Sequence, residues 1–162
     1  MSEQTGENIL HVHLTHGQVV IEMFPDVAPK HVERIKELAR TGFYDNTPFH
    51  RVIDGFMAQG GDPTGTGTGG SDLPDLPAEF TKKQKFLRGT CGMARTNNPN
   101  SANSQFFIMF APAPHLDGQY TIWGRVVEGM EFVDQLKRGA GGSGTVQNPD
   151  RVLRVQVKSD AS

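Results

Sequence analysis

Two stretches of this 162-residue chain hold side chains that can donate hydrogen bonds beside apolar surface. The first is Phe49-His50-Arg51-Val52-Ile53-Asp54-Gly55-Phe56-Met57-Ala58-Gln59-Gly60-Gly61-Asp62. Residues two apart in a strand share a face, which pairs Arg51 with Ile53 and Met57 with Gln59. Asp54-Gly55 lets the strand bend between the two pairs. A guanidinium, an amide, a thioether and a phenyl ring thus fall within one folded strip. A core strand with a solvated arginine explains that spacing equally well. The second stretch runs from Met93-Ala94-Arg95-Thr96 through Asn97-Asn98-Pro99-Asn100-Ser101-Ala102-Asn103-Ser104 to Gln105-Phe106-Phe107-Ile108. It reads as a strand, an amide-rich loop and a second strand. Such loops satisfy their own backbone through Asx turns. The alternative is a surface that offers backbone and amide hydrogen bonds to an extended peptide.

Other candidates carry less. His11 and His13 share a strand face and His16 is near, but without a Cys, Asp or Glu beside them they make a poor metal set. Gly65-Thr66-Gly67-Thr68-Gly69-Gly70 lacks the Gly-Lys-Ser/Thr ending and the helix of a phosphate-cradling loop. Asp72, Asp75 and Glu79 are interrupted by Pro74 and Pro77, which suggests an exposed loop and not paired carboxylates. Cys91, the sole cysteine, has no His or Asn placed to activate it and reads as a buried structural thiol.

The elements that must position these residues are short. Ile9–Phe24 alternates as a hairpin around His16-Gly17, with Leu10, Val12, Leu14, Val19, Ile21 and Met23 on its apolar face. Asp26–Arg40 switches to helical spacing through Ala28, Val32, Ile35 and Ala39, and Gly42 is a natural stop. Phe49–Gln59 predicts two strands, and residues 60–77 predict a long loop. Apolar runs recur at Gly92–Ala94, Gln105–Phe110, Thr121–Val127 and Val152–Val157. A second helix fits Met130–Arg138, with Val133 and Leu136 inward. Many short strands and two separated helices favour an antiparallel barrel or sandwich over a parallel α/β sheet.

Composition sets the outer limits. Hydrophobic residues make up 36% and charged residues 21%, a globular balance. One domain spanning 1–162 is expected, with polar tails at about 1–7 and 159–162. A formal net charge of −2 argues against a general nucleic-acid or acidic-membrane binder. No apolar run is long enough to span a bilayer, and Met1–Glu7 lacks the features of a secretory signal. A cytoplasmic, reducing location is expected, and monomer is the default.

Taken together, the motifs resemble the cyclophilin family of peptidyl-prolyl cis-trans isomerases, in its short bacterial branch. Tyr44, Thr47 and the strip Phe49-His50-Arg51…Phe56-Met57-x-Gln59-Gly60-Gly61 are similar to its signature. Ser104-Gln105-Phe106-Phe107-Ile108 and Leu116-Asp117-Gly118 match later motifs in order, and the likeness runs from about Asn8 to Val157. The resemblance implies a closed eight-stranded antiparallel β-barrel capped by two helices, and acceleration of rotation about X–Pro bonds with no metal or cofactor. It implies Arg51 as donor to the prolyl nitrogen, with Phe56 and Gln59 completing the catalytic set. Met57, Phe107 and Leu116 join Phe56 in the proline pocket, while Gln105, Ala94 and Arg95 hold the peptide before proline. His50 supports, and His115 and Tyr120 border the substrate. His115 stands where the best-known eukaryotic members carry a tryptophan, Tyr120 where they carry a histidine and Arg95 where they carry an asparagine, which implies reduced affinity for cyclosporin. Proline-containing peptides and flexible protein clients are the implied partners. A non-catalytic proline-peptide binder or chaperone is the competing reading.

Overall fold

The computed structural model describes residues 6–139 and 143–160. Strands β1 (Ile9–Leu14) and β2 (Gly17–Met23) form the expected antiparallel hairpin, with Leu10 opposite Ile21 and Val12 opposite Val19. Helix α1 (Pro29–Arg40) buries Val32, Ile35, Leu38 and Ala39. It starts later than the apolar spacing predicts. Val27 and Ala28 are tied in a turn to the Phe24 carbonyl, and Pro29, which lacks an N–H, takes the first helical position.

Next come β3 (Arg51–Ile53) and β4 (Met57–Gly60), joined at Gly55, whose φ of 74° suits a residue without Cβ. After the long loop follow β5 (Thr90–Met93), β6 (Phe106–Met109) and β7 (Ile122–Glu128). Helix α2 spans only Met130–Val133, shorter than expected. The chain then tightens into three-residue hydrogen bonds, Gln135 to Phe132 and Leu136 to Val133, and the Arg138 side chain caps the Asp134 and Leu136 carbonyls. Val133 and Leu136 still point inward. The last strand, β8, covers Val152–Val157.

All eight strands pair antiparallel in one sheet, ordered β3-β4-β6-β5-β7-β2-β1-β8. The expected closed barrel is corrected to a curled, open one, because its end strands β3 and β8 form no ladder. The seam is held by the residues before β3: Asn46 donates to the Val152 carbonyl, Val152 to Thr47 and Phe49 to Asp150, at 2.7–2.9 Å. Pro48 sits opposite Arg151 as an isolated bridge, and with no N–H it cannot extend the pairing. Residues 143–146 cover the free edge of β3 through Gly144 and Val146.

The expected tails overlap docked structure where they are described. Glu7 accepts bonds from Lys36 and Arg40 of α1, and Asp160 pairs with Arg40 at 2.8 Å. No helix among the described residues is long and apolar enough to cross a membrane.

Candidate active site

Strand alternation sorts the apolar residues into two clusters on opposite faces of the curled sheet. From β6, Phe106 and Ile108 enter the main core, while Phe107 and Met109 join a second cluster on the outer face. Neighbouring strands obey the same rule: Ala58 and Trp123 go inward, Met57 and Ile122 outward. This outer cluster floors a pocket of about 370 Å³. Met57, Phe107 and Leu116 line it with Phe56, and Arg51 and Gln59 stand on one wall. Ala94, Arg95, His115 and Tyr120 complete the lining.

Behind it lies a groove of about 470 Å³ that shares Gln59, Ala94 and Arg95 with the pocket and adds Gln105. The structure therefore gathers every site residue expected from sequence except His50. That imidazole is buried and lines neither cavity, and neither ring nitrogen has a hydrogen-bond partner among the described residues. Burial pulls its pKa down, which favours the neutral ring.

Arg51 is held at two points. Its Nε donates to the Ser143 carbonyl at 2.9 Å and its Nη1 to Gln59 Oε1 at 3.2 Å. Gln59 Nε2 donates in turn to Gln105 Oε1 at 2.9 Å. Gln105 Nε2 then bonds the carbonyls of Gly67 and Gly69, at 3.0 and 2.9 Å. The amides of those two glycines donate to Asp62 Oδ2, and Thr64 donates twice to Oδ1. Asp62 is fully buried. Burial opposes its charge, but the bonds from Thr64, Gly69 and Gly67 prevail and hold its pKa at about 2. A Cβ on Gly69 would sit 2.2 Å from this carboxylate, so only glycine lets the loop wrap so closely.

Asp62, Phe86 and Ser143 were not picked out from sequence. An Asp followed two residues later by Thr64 and then by alternating glycines is an Asx-turn pattern, so Asp62 could have been found. Phe86 had no local signal. It stacks on Phe107 at 5.6 Å, and its amide donates to Asp117 Oδ1 at 2.7 Å, which fixes the turn bearing Leu116. Tyr120 meets Phe107 edge-on at 5.7 Å, and Phe56 faces His115 at 5.9 Å.

Among the described residues no three His, Cys, Asp or Glu side chains come together around a possible ion. His11 and His13 pack edge to face at 6.3 Å. Cys91 is completely buried, and burial drives its pKa far above the ordinary thiol value.

An apolar pocket with a tethered guanidinium on its rim suits a proline ring and its preceding amide. The family model described as cyclophilin type peptidyl-prolyl cis-trans isomerase/CLD matches residues 9–157. The chain belongs to this family. A probable peptidyl-prolyl cis-trans isomerase of Brucella suis is 52% identical over 166 residues, covering 95% of this chain and 84% of that one. A peptidyl-prolyl cis-trans isomerase of Arabidopsis thaliana is 43% identical over 136 residues, with 82% and 84% covered. Among solved structures, the cyclophilin AquaCyp293 from Hirschia baltica superposes with a TM-score of 0.88 at 30% identity, covering 99% of this chain and 77% of that one. A Cryptosporidium parvum cyclophilin, determined in the presence of the dipeptide Ala-Pro, gives 0.87 at 32% identity, with 94% and 99% covered. This cyclophilin is accordingly a peptidyl-prolyl cis-trans isomerase with the family's curled eight-stranded sheet and two helices.

Proposed function

We propose that the chain acts as one cyclophilin-like domain that isomerises X–Pro bonds non-covalently, with Arg51 as the catalytic donor. Amide resonance sets a barrier of roughly 18–20 kcal/mol, and uncatalysed exchange takes tens to hundreds of seconds. Twisting the amide localises the lone pair on the prolyl nitrogen, which becomes a hydrogen-bond acceptor only then. A donor fixed beside it binds the twisted state more tightly than the planar one, which is the condition for catalysis. No proton moves and no bond is made, so neutral His50 needs no acid–base role.

The observation that carries this reading is the tethering of Arg51. Ser143 and Gln59 occupy Nε and Nη1, and Nη2 keeps both hydrogens without a partner among the described residues, on a side chain that lines the pocket. Phe56, Met57, Phe107 and Leu116 hold the proline ring. Gln59, with one Nε2 hydrogen left beyond its bond to Gln105, holds a substrate carbonyl. Gln105 and the Ala94–Arg95 backbone hold the peptide before proline, and His115 and Tyr120 border the ring. Proline-containing peptides and flexible protein clients are the substrates, in the cytoplasm and with the chain as monomer. Cyclosporin binds weakly, because His115 offers less apolar surface than a tryptophan.

NMR exchange on an Xaa-Pro peptide tests the reading. Wild type accelerates exchange, and Arg51→Ala lowers kcat/KM by about 10²–10³ without unfolding, the usual loss for a transition-state donor. Arg51→Lys loses at least about tenfold, because one ammonium cannot serve Ser143, Gln59 and substrate with the planar fork. Folded wild type without acceleration would leave a binding module or chaperone.

A further inference from the structure

Arg95 lines both the pocket and the groove, and so stands where they meet. Its guanidinium lies 4.5 Å from the Tyr120 ring centre and 5.9 Å from that of Phe80, so aromatic faces orient the fork. Nε and Nη2 donate to the Gln119 carbonyl at 3.1 and 2.6 Å, and Nη1 to that of Thr96 at 2.9 Å. A guanidinium has five N–H bonds, so two have no partner among the described residues and are available to a ligand. Arg40, Arg88, Arg125 and Arg138 each sit against a carboxylate. Arg95 has none within ion-pair distance among the described residues.

The charge around it is equally lopsided. Among the described residues, the pocket lining contains two guanidiniums, Arg51 and Arg95, and no acidic side chain. The groove adds one acid, Asp75, which accepts a bond from Asn103 Nδ2. The whole chain carries a formal charge of −2, so this cleft is positive on a net-negative molecule. A cleft lined by one sign of charge concentrates ligands of the other.

We propose that Arg95 is a specificity-determining residue that favours substrates with a carboxylate side chain one or two positions before the isomerised proline. This rests on the placement of the proline ring in the pocket, with the preceding residues running over Ala94–Arg95 toward the groove. A glutamate or aspartate there meets a stacked, pre-oriented fork with free donors; a lysine meets two cations. Arg51 cannot make this selection, because its donors serve Gln59, Ser143 and the reacting amide.

The test is a series of proline peptides with Glu, Gln or Lys at the residue before proline and, separately, one residue earlier. Wild type, Arg95→Gln and Arg95→Glu are compared by NMR exchange at about 10 mM and about 500 mM salt, where the Debye lengths differ severalfold. The expected wild-type result is a kcat/KM for Glu about fivefold above Gln at one of the two positions, with Lys lowest, as for a solvent-accessible ion pair. The ratio shrinks at high salt, falls to about one in Arg95→Gln and inverts toward Lys in Arg95→Glu. Equal values for Glu and Gln with wild type at low salt overturn the proposal, as does a ratio unchanged in Arg95→Gln. The wild-type salt comparison decides the matter even if a variant misfolds. No acceleration of any peptide overturns the isomerase mechanism instead, and dissociation constants from NMR titration of the same series then decide the role of Arg95.

Discussion

Asp62 lines neither the pocket nor the groove, yet hydrogen bonds link it to Arg51 through Gln59, Gln105 and the residues Gly67 and Gly69. A buried carboxylate with four hydrogen bonds, and no cation paired with it among the described residues, is costly unless each bond is kept. In Asp62→Asn, an NH₂ group faces the glycine amides and two donors oppose each other. The expected result is a kcat/KM about tenfold lower, a loss of about 1.4 kcal/mol. Reduced stability alone would explain a lower melting temperature but not coupling to the amides. A double-mutant cycle separates the two: in a Gln105→Leu background, Asp62→Asn adds little further loss of kcat/KM while still lowering the melting temperature. Additive losses in kcat/KM would show that Asp62 acts on the fold and not through Gln105.

At the level of elements, the start of α1 depends on a residue far away in sequence. Ala28 cannot cap the helix, and Glu79 does so instead, accepting from the amides of Lys30 and His31 at 3.1 and 2.9 Å and from His31 Nδ1 at 2.6 Å. Glu79→Ala removes both cap bonds and strands the buried imidazole. A loss of about 2 kcal/mol is expected in urea unfolding. Burial lowers the pKa of His31 below 6.5, and its bond to Glu79 only partly offsets this. As pH falls through about 6.5 the unfolded chain therefore takes up a proton that the folded chain refuses. Stability from this group is complete above that pH and drains away below it. His31→Asn keeps an N–H for Glu79 and cannot titrate, so its unfolding midpoint varies less between pH 7.5 and 5.5 than that of wild type; equal variation would clear His31. The same distance in sequence explains what could be read beforehand. β8 spans the residues its alternation predicts, and the β1–β2 hairpin and the β3–β4 bend are local patterns of apolar spacing and glycine. The early end of α2 depends on Arg138 folding back on carbonyls, and the open seam on Pro48 meeting Arg151 across the sheet. Neither leaves a periodic trace. The pocket residues were legible as motifs, whereas Phe86 beneath Phe107 and Ser143 behind Arg51 come from segments with no motif.

Across the whole molecule, core and site are two sides of one wall. Phe106 and Phe107 are adjacent in sequence, yet one packs against Trp123 at 6.2 Å in the core and the other stacks on Phe86 beneath the pocket. Removing the outer cluster must therefore loosen the strand that carries the inner one. Phe107→Ala is expected to cost about 3–5 kcal/mol, the range for deleting a buried phenyl ring. Because β4, β6 and β7 each serve both clusters, that loss should be felt globally. Trp123 is the sole tryptophan and is buried in the core, so its fluorescence reports the inner cluster, while far-UV circular dichroism reports the sheet. Both probes should give coincident urea transitions in wild type, and both should move together in Phe107→Ala with an unchanged slope. An earlier loss of sheet signal with Trp123 still buried would mean that the outer cluster is a separable layer, and that site and core do not share their stability.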